Sequence, residues 1–106
     1  MPSPTEIVIR PAARRDSLEG FEYLSRVAGP VIAERFLDGL ESAAHLLEEK
    51  PRIGRLCGFS GRISSRFRQW PVPGFEDWLI FYIPYRNRVE FLRVLHGARD
   101  LATILE

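Results

Sequence analysis

Apolar side chains recur every three or four positions from Ala12 to Glu49, and this pattern predicts two helices. Leu18, Phe21, Leu24 and Val27 or Ala28 mark one face of the first, from Ala12 to about Ala28, while Arg14, Arg15, Asp16, Glu19 and Glu22 fill the positions between. Gly29-Pro30 breaks the period and suits the first turn of a second helix. That helix, Pro30–Glu49, has the clearest repeat in the chain: Ala33, Phe36, Leu37, Leu40, Ala43, Ala44 and Leu47 form one stripe, and Pro51 stops it. So short a break predicts an antiparallel helical hairpin.

The flanking segments read as strands. Glu6–Arg10 is short and apolar in part, and Pro11 ends it. Pro51–Gly61 is glycine-rich and without period, hence a loop. Ile63–Val72 reads as a strand, followed by a turn at Pro73-Gly74. Trp78–Tyr85 is apolar on both faces, as a central strand would be. Arg86-Asn87 suits a tight hairpin turn, since asparagine tolerates positive φ. Arg88–His96 returns, Gly97 ends it, and Ala98–Leu105 reads as a short helix or extended tail. Helices grouped together beside a mostly antiparallel sheet make an α+β domain. With 106 residues the chain is expected to be a single domain over 1–106 with one modest core.

Composition changes this picture little. The chain is 45% hydrophobic and 27% charged, ordinary for a globular protein. Its single cysteine, Cys57, excludes an internal disulfide framework and suits a reducing cytosol. No apolar run reaches the roughly 20 residues that span a bilayer, and MPSPTEIVIR lacks a signal peptide's pattern, so a cytoplasmic protein without a membrane partner is expected. Two distant histidines and one cysteine supply no metal cluster, and no glycine-rich nucleotide loop is present, so neither metal nor cofactor is expected.

Charge distribution says more. Residues 1–50 hold six Lys/Arg against nine Asp/Glu, whereas 51–106 hold nine arginines against five Asp/Glu. A basic second half built only from arginine suggests a surface for an anionic partner. Strand alternation over Ile63–Val72 would put Arg62, Ser64, Arg66, Arg68 and Trp70 on one face, with Ile63, Phe67 and Pro71 on the other. Arg93 would share a face with Val89, Phe91 and Leu95, as one half of a buried or half-buried ion pair to Asp100 or Glu90. His96, at the strand end, is either a hydrogen-bonded structural residue or an acid–base group. His45 is an exposed helical residue four positions after Glu41.

The stretches IVIRPAARRDSLEGFEYL, EKPRIGR, FRQWPVPGFEDWLIFYIPY and VEFLRVLHGARDL, in a β-α-α-β-β-β order, resemble the RelE/ParE superfamily of type II toxin–antitoxin toxins. The last two stretches are the specific ones, and they are most similar to the ParE branch. The resemblance implies a growth-arresting toxin of the kind encoded by plasmid-stabilisation modules.

Two activities are known within the superfamily. RelE-like toxins are ribosome-dependent ribonucleases acting on messenger RNA. For that reading the resemblance implies Arg66, Arg68, His96 and Arg99 as catalytic candidates. The chain departs from the RelE pattern twice, however: an apolar residue, about Leu79, replaces the central-strand arginine, and Leu105 stands where a C-terminal tyrosine is expected. ParE-like toxins poison DNA gyrase and need no catalysis of their own. This second reading is preferred, with Arg62, Arg66, Arg68, Trp70, Arg93 and Arg99 as target-binding residues. A ParD-like antitoxin would cover the helical groove and sheet edge through residues such as Leu24, Phe36 and Leu40, and operator DNA would be reached only through it. A non-toxic binding module of the same fold is the third reading.

Overall fold

In a computed structural model, described over residues 5–97, the chain forms a five-stranded mixed sheet with two helices on one face. β1 is Glu6–Ile9, α1 Pro11–Ala28, α2 Pro30–Glu49, β2 Arg55–Leu56, β3 Arg68–Val72, β4 Phe75–Pro84 and β5 Arg88–His96. The sheet order is β1-β5-β4-β3-β2. β1 runs parallel to β5, and every other pairing is antiparallel. The α+β expectation is met. The segment Ala98–Leu105, read as a short helix or tail, lies outside the described residues.

Both helices start with proline at the first turn, where a missing N–H is harmless. One residue joins them. Gly29 has φ +90°, donates its N–H to the Ser25 carbonyl and accepts from Ala33 N–H. Such a backbone angle is open to glycine and strained for side chains bearing Cβ. α2 then runs so close to the β3–β4 turn that a Cβ on Gly39 would sit 2.7 Å from the Pro73 carbonyl oxygen. Phe36 fills the space between α2 and the sheet, edge-on to Phe75 (5.5 Å) and tilted on Trp78 (4.9 Å).

β4 has apolar residues on both faces because both are covered. Ile80 and Tyr82 join the helix-side core with Val89, Phe91 and Val94. Ile83 packs with Phe67 and Leu92 on the other side, under Cys57 and Phe59. A bulge in β5 separates the two registers: Tyr82 faces Phe91 while its neighbour Phe81 faces Arg93, and Leu92 has no partner. Arg93 therefore does not share the face of Val89 and Phe91 that simple alternation predicts.

Two other sequence expectations change. Ile63–Val72 is not one strand. Ser64–Arg66 forms a 3-10 turn, with Ser65 N–H bonded to Gly61 and Arg66 N–H to Ile63, and β3 begins only at Arg68. Consecutive serines offer the backbone local hydrogen bonds that compete with a strand. The hairpin at Arg86-Asn87 closes through Tyr85 N–H to the Arg88 carbonyl, but Asn87 does not adopt positive φ. The predicted loop also contributes the two-residue edge strand β2.

Arg93 pairs with Asp16 and not with the expected Glu90; Asp100, the other expected partner, lies outside the described residues. Its Nε and Nη2 donate to Oδ2 and Oδ1 at 2.6 and 2.9 Å, and Asp16 Oδ2 also accepts Val94 N–H at 3.0 Å. Glu90 instead ties β1 to β5. It accepts from Arg10 Nε at 2.9 Å and Arg88 Nε at 2.7 Å. Arg88, then Arg10, hold its carboxyl below the ordinary glutamate range, against the opposing effect of burial.

Asp16→Ala leaves a half-buried guanidinium unpaired and Val94 N–H unsatisfied. Chemical denaturation is expected to show a loss of about 2–4 kcal/mol. A group whose carboxyl is depressed in the fold adds stability above its unfolded pKa of about 4.3, and this is lost as pH falls through the lower folded value. Glu90→Gln should therefore narrow the stability gap to wild type on acidification below about pH 4, measured as denaturation midpoint against pH.

Candidate functional site

The arginines expected on one strand face are dispersed. Arg62 is exposed in the turn before Ser64. Arg66, on the 3-10 turn, lies 5.1 Å from the Tyr85 ring centre and donates weakly, at 3.4 Å, to the Pro84 carbonyl. Arg68 is committed to the backbone: its Nη1 bonds the carbonyls of Arg52 (3.0 Å) and Gly54 (2.7 Å). Gly54 N–H in turn donates to the buried Tyr82 hydroxyl at 2.9 Å. Burial pushes the Tyr82 phenol up, so it stays an uncharged acceptor. Arg68 therefore clamps the α2–β2 connection, and pairing it with Arg66 as two surface cations is not correct. Trp70 shares its face with Arg68, yet it is opposite Ile80 and packs on the helix-side core. Arg93 is held by Asp16, and Arg99 lies outside the described residues.

Another basic array is assembled from residues far apart in the chain. Glu90 is paired with Ile83, so it lies on the sheet face away from the helices, and Arg88 is two residues before it. Arg88 stacks 3.9 Å from the centre of the Tyr85 ring that Arg66 also covers. Arg10, Glu90, Arg88, Tyr85 and Arg66 thus form a continuous row across β1, β5, β4 and the approach to β3. Arg86 is exposed at the hairpin tip beside it. Only the parallel pairing of β1 with β5 brings Arg10 into the row, and no local pattern announces that pairing.

A second site surrounds the end of β5. His96 is exposed, opposite Trp78 in the sheet and edge-on to its ring at 4.9 Å. Both line a cleft of about 290 Å³ with Asp16, Glu19, Tyr23 and Arg93. Two carboxylates and one committed arginine make this a poor place for a phosphate. Trp78 and Tyr85, the residue just past β4, are seven residues apart, roughly 20 Å at a strand's usual rise, so His96 beside the first and Arg66 beside the second sit toward opposite ends of β4. Neither can act on the same bond as the other. Cys57 is half-buried, and burial pushes its thiol up, away from the reactive thiolate. Among the described residues no three of His, Cys, Asp and Glu form a metal site.

The residues expected at an antitoxin interface also separate. Phe36 is wholly buried and Leu24 nearly so, which makes both core in this chain. Leu40 is half-buried and opens into an apolar groove of about 330 Å³ with Ile9, Ala44 and Phe91, rimmed by Arg14 and Glu41. This groove follows β1, the sheet edge.

Among the described residues no helix is long and apolar enough to cross a membrane. No curated protein sequence matches the chain. Among solved structures, a chain titled "Chromosomal ParDE TA system from P. aeruginosa" superposes with a TM-score of 0.70 at 12% identity, over 89% of this chain and 97% of that one. At that identity the likeness speaks for the fold. The model of the family described as "ParE toxin of type II toxin-antitoxin system, parDE" matches residues 7–101, which includes both helices, the edge-strand groove and the arginine row. The chain belongs to the ParE toxin family of type II toxin–antitoxin systems.

Proposed function

We propose that this toxin inhibits DNA gyrase by binding it, with no bond-making of its own, and that a ParD-like antitoxin neutralises it in the cytoplasm. The observation that supports this most is that Arg66 lies on Tyr85 and His96 on Trp78, toward opposite ends of β4. A ribonuclease needs its acid–base groups and its phosphate-binding cations around one scissile bond. Here Arg68 holds a loop and His96 sits beside carboxylates, with Leu79 in the central strand. Inhibition by binding asks instead for an exposed surface of fixed shape and charge, which the row from Arg10 to Arg66 provides.

The groove between Ile9, Leu40, Ala44 and Phe91 suits the antitoxin. Its floor is apolar, its rim carries one charge of each sign, and the edge of β1 lies beside it. An amphipathic segment that orders on binding would bury its apolar face there. Contact with operator DNA would then come through the antitoxin.

Two assays on the purified, antitoxin-free chain test the reading. Gyrase supercoiling should stop with accumulation of cleaved DNA, while message on programmed ribosomes stays intact. Cut message with normal gyrase overturns it, and so does unimpaired growth of cells that express the folded chain alone. Within the arginines, Arg66→Ala should weaken inhibition with an unchanged melting temperature. Arg68→Ala should lower that temperature by several degrees, because two main-chain carbonyls lose their donor.

A further inference from the structure

The row on the sheet face away from the helices has features of a polyanion reader that a scattered basic surface lacks. Glu90 accepts from both Arg10 and Arg88, so its charge is matched twice over. Tyr85 then holds the guanidinium groups of Arg88 and Arg66 against its ring at 3.9 and 5.1 Å. A guanidinium stacked on an aromatic ring keeps its N–H edge available and has already lost most of its side-chain freedom, so less is lost when it meets a ligand. The row crosses four strands, a span of about 14 Å at the usual strand spacing. One DNA strand advances by one phosphate per roughly 3.4 Å of helix axis, so a row of this length meets more than one phosphate. Arg86, exposed and without a hydrogen bond or ion pair among the described residues, extends the positive surface at the hairpin tip.

We propose that Arg10, Arg66, Arg86 and Arg88 grip the phosphodiester backbone of DNA, with Tyr85 fixing two of them in place. A linear ligand with regularly spaced charges fits a line of cations. An acidic protein surface, whose carboxylates are irregularly placed and would compete with Glu90, fits it less well. The contact is to backbone and not to base edges, so it carries no sequence preference. The inference rests on the gyrase reading in one respect: it says that the toxin touches the DNA held by its target as well as the protein.

Titration of the free chain with a labelled duplex of roughly 20 base pairs, at several salt concentrations, tests this. Each phosphate contact should make affinity fall about 3.5-fold between about 50 and 200 mM salt. Arg86→Ala and Arg66→Ala should each remove about one such factor, that is, reduce the log–log slope by about one. Arg35→Ala, on the exposed face of α2, should leave the slope as it is. Melting curves for each variant confirm that the fold is kept. An unchanged slope in both Arg86→Ala and Arg66→Ala overturns the proposal. So does poly-L-glutamate displacing the duplex with the same arginine dependence, since carboxylates would then be the ligand. DNA binding that follows the prediction in a chain that traps no cleaved DNA sinks the gyrase reading alone. Trapped cleavage by the unaltered chain, with a duplex salt slope that neither Arg86→Ala nor Arg66→Ala changes, sinks this inference alone.

Discussion

The carboxylate of Asp16 is the point on which the two layers depend. β1 pairs with β5 only from Glu6 and Arg88 to Ile9 and Phe91. Beyond that register β5 has β4 on one side and no strand on the other, and the chain has already turned into α1. Asp16, in the second turn of α1, accepts Val94 N–H and both Arg93 donors, so a side chain does there what a strand neighbour would have done. With α1 fixed to β5, α2 follows, because Gly29 alone connects the helices. Replacing Asp16 by an apolar residue would remove all three acceptor contacts at once, and an unmatched buried donor costs more than a made hydrogen bond gains.

The bulge at Leu92 serves the same architecture from within the sheet. It leaves Leu92, which packs in the second, smaller cluster, without a partner in β4 and shifts Arg93 out of the alternation that Val89 and Phe91 follow. One strand thereby packs on the helices at one end, supports the loop carrying Phe59 and Phe67 in the middle, and carries Arg88 and Glu90 toward solvent near the hairpin. The basic row and the apolar groove beside β1 are consequently attached to the same sheet but point in different directions.

Much of the fold is legible in the sequence for a simple reason: its strongest signals are local. The 3.6-residue stripe of α2, the Gly29-Pro30 break and the two-sided apolar run of β4 each depend on neighbours within a few positions. What escapes is set by distant residues. Nothing around Arg93 points to Asp16, and nothing around Arg10 points to Glu90. The alternation from Arg62 to Trp70 fails because Ser64-Ser65 turns the backbone, so an inference about a shared face had no strand beneath it. Phe36 and Leu40 belong to one stripe in sequence, yet one is core and the other opens into a groove. A stripe records only that a face is apolar and not what covers it.

The parallel pairing of β1 with β5 has a consequence for how the protein comes into being. Residues 6–9 must wait for residues 88–91, and Asp16 must wait for Arg93. At about 5–20 residues per second a ribosome needs roughly 4–16 s to make the intervening chain. During that interval the helical hairpin can form, since its contacts are local, but the sheet edge has no neighbour and the arginine row is not assembled. The nascent chain therefore carries its helical hairpin before it carries either its complete basic surface or the groove beside β1. The last-made strand thus completes both surfaces, since Phe91 lines the groove and Arg88 and Glu90 belong to the row.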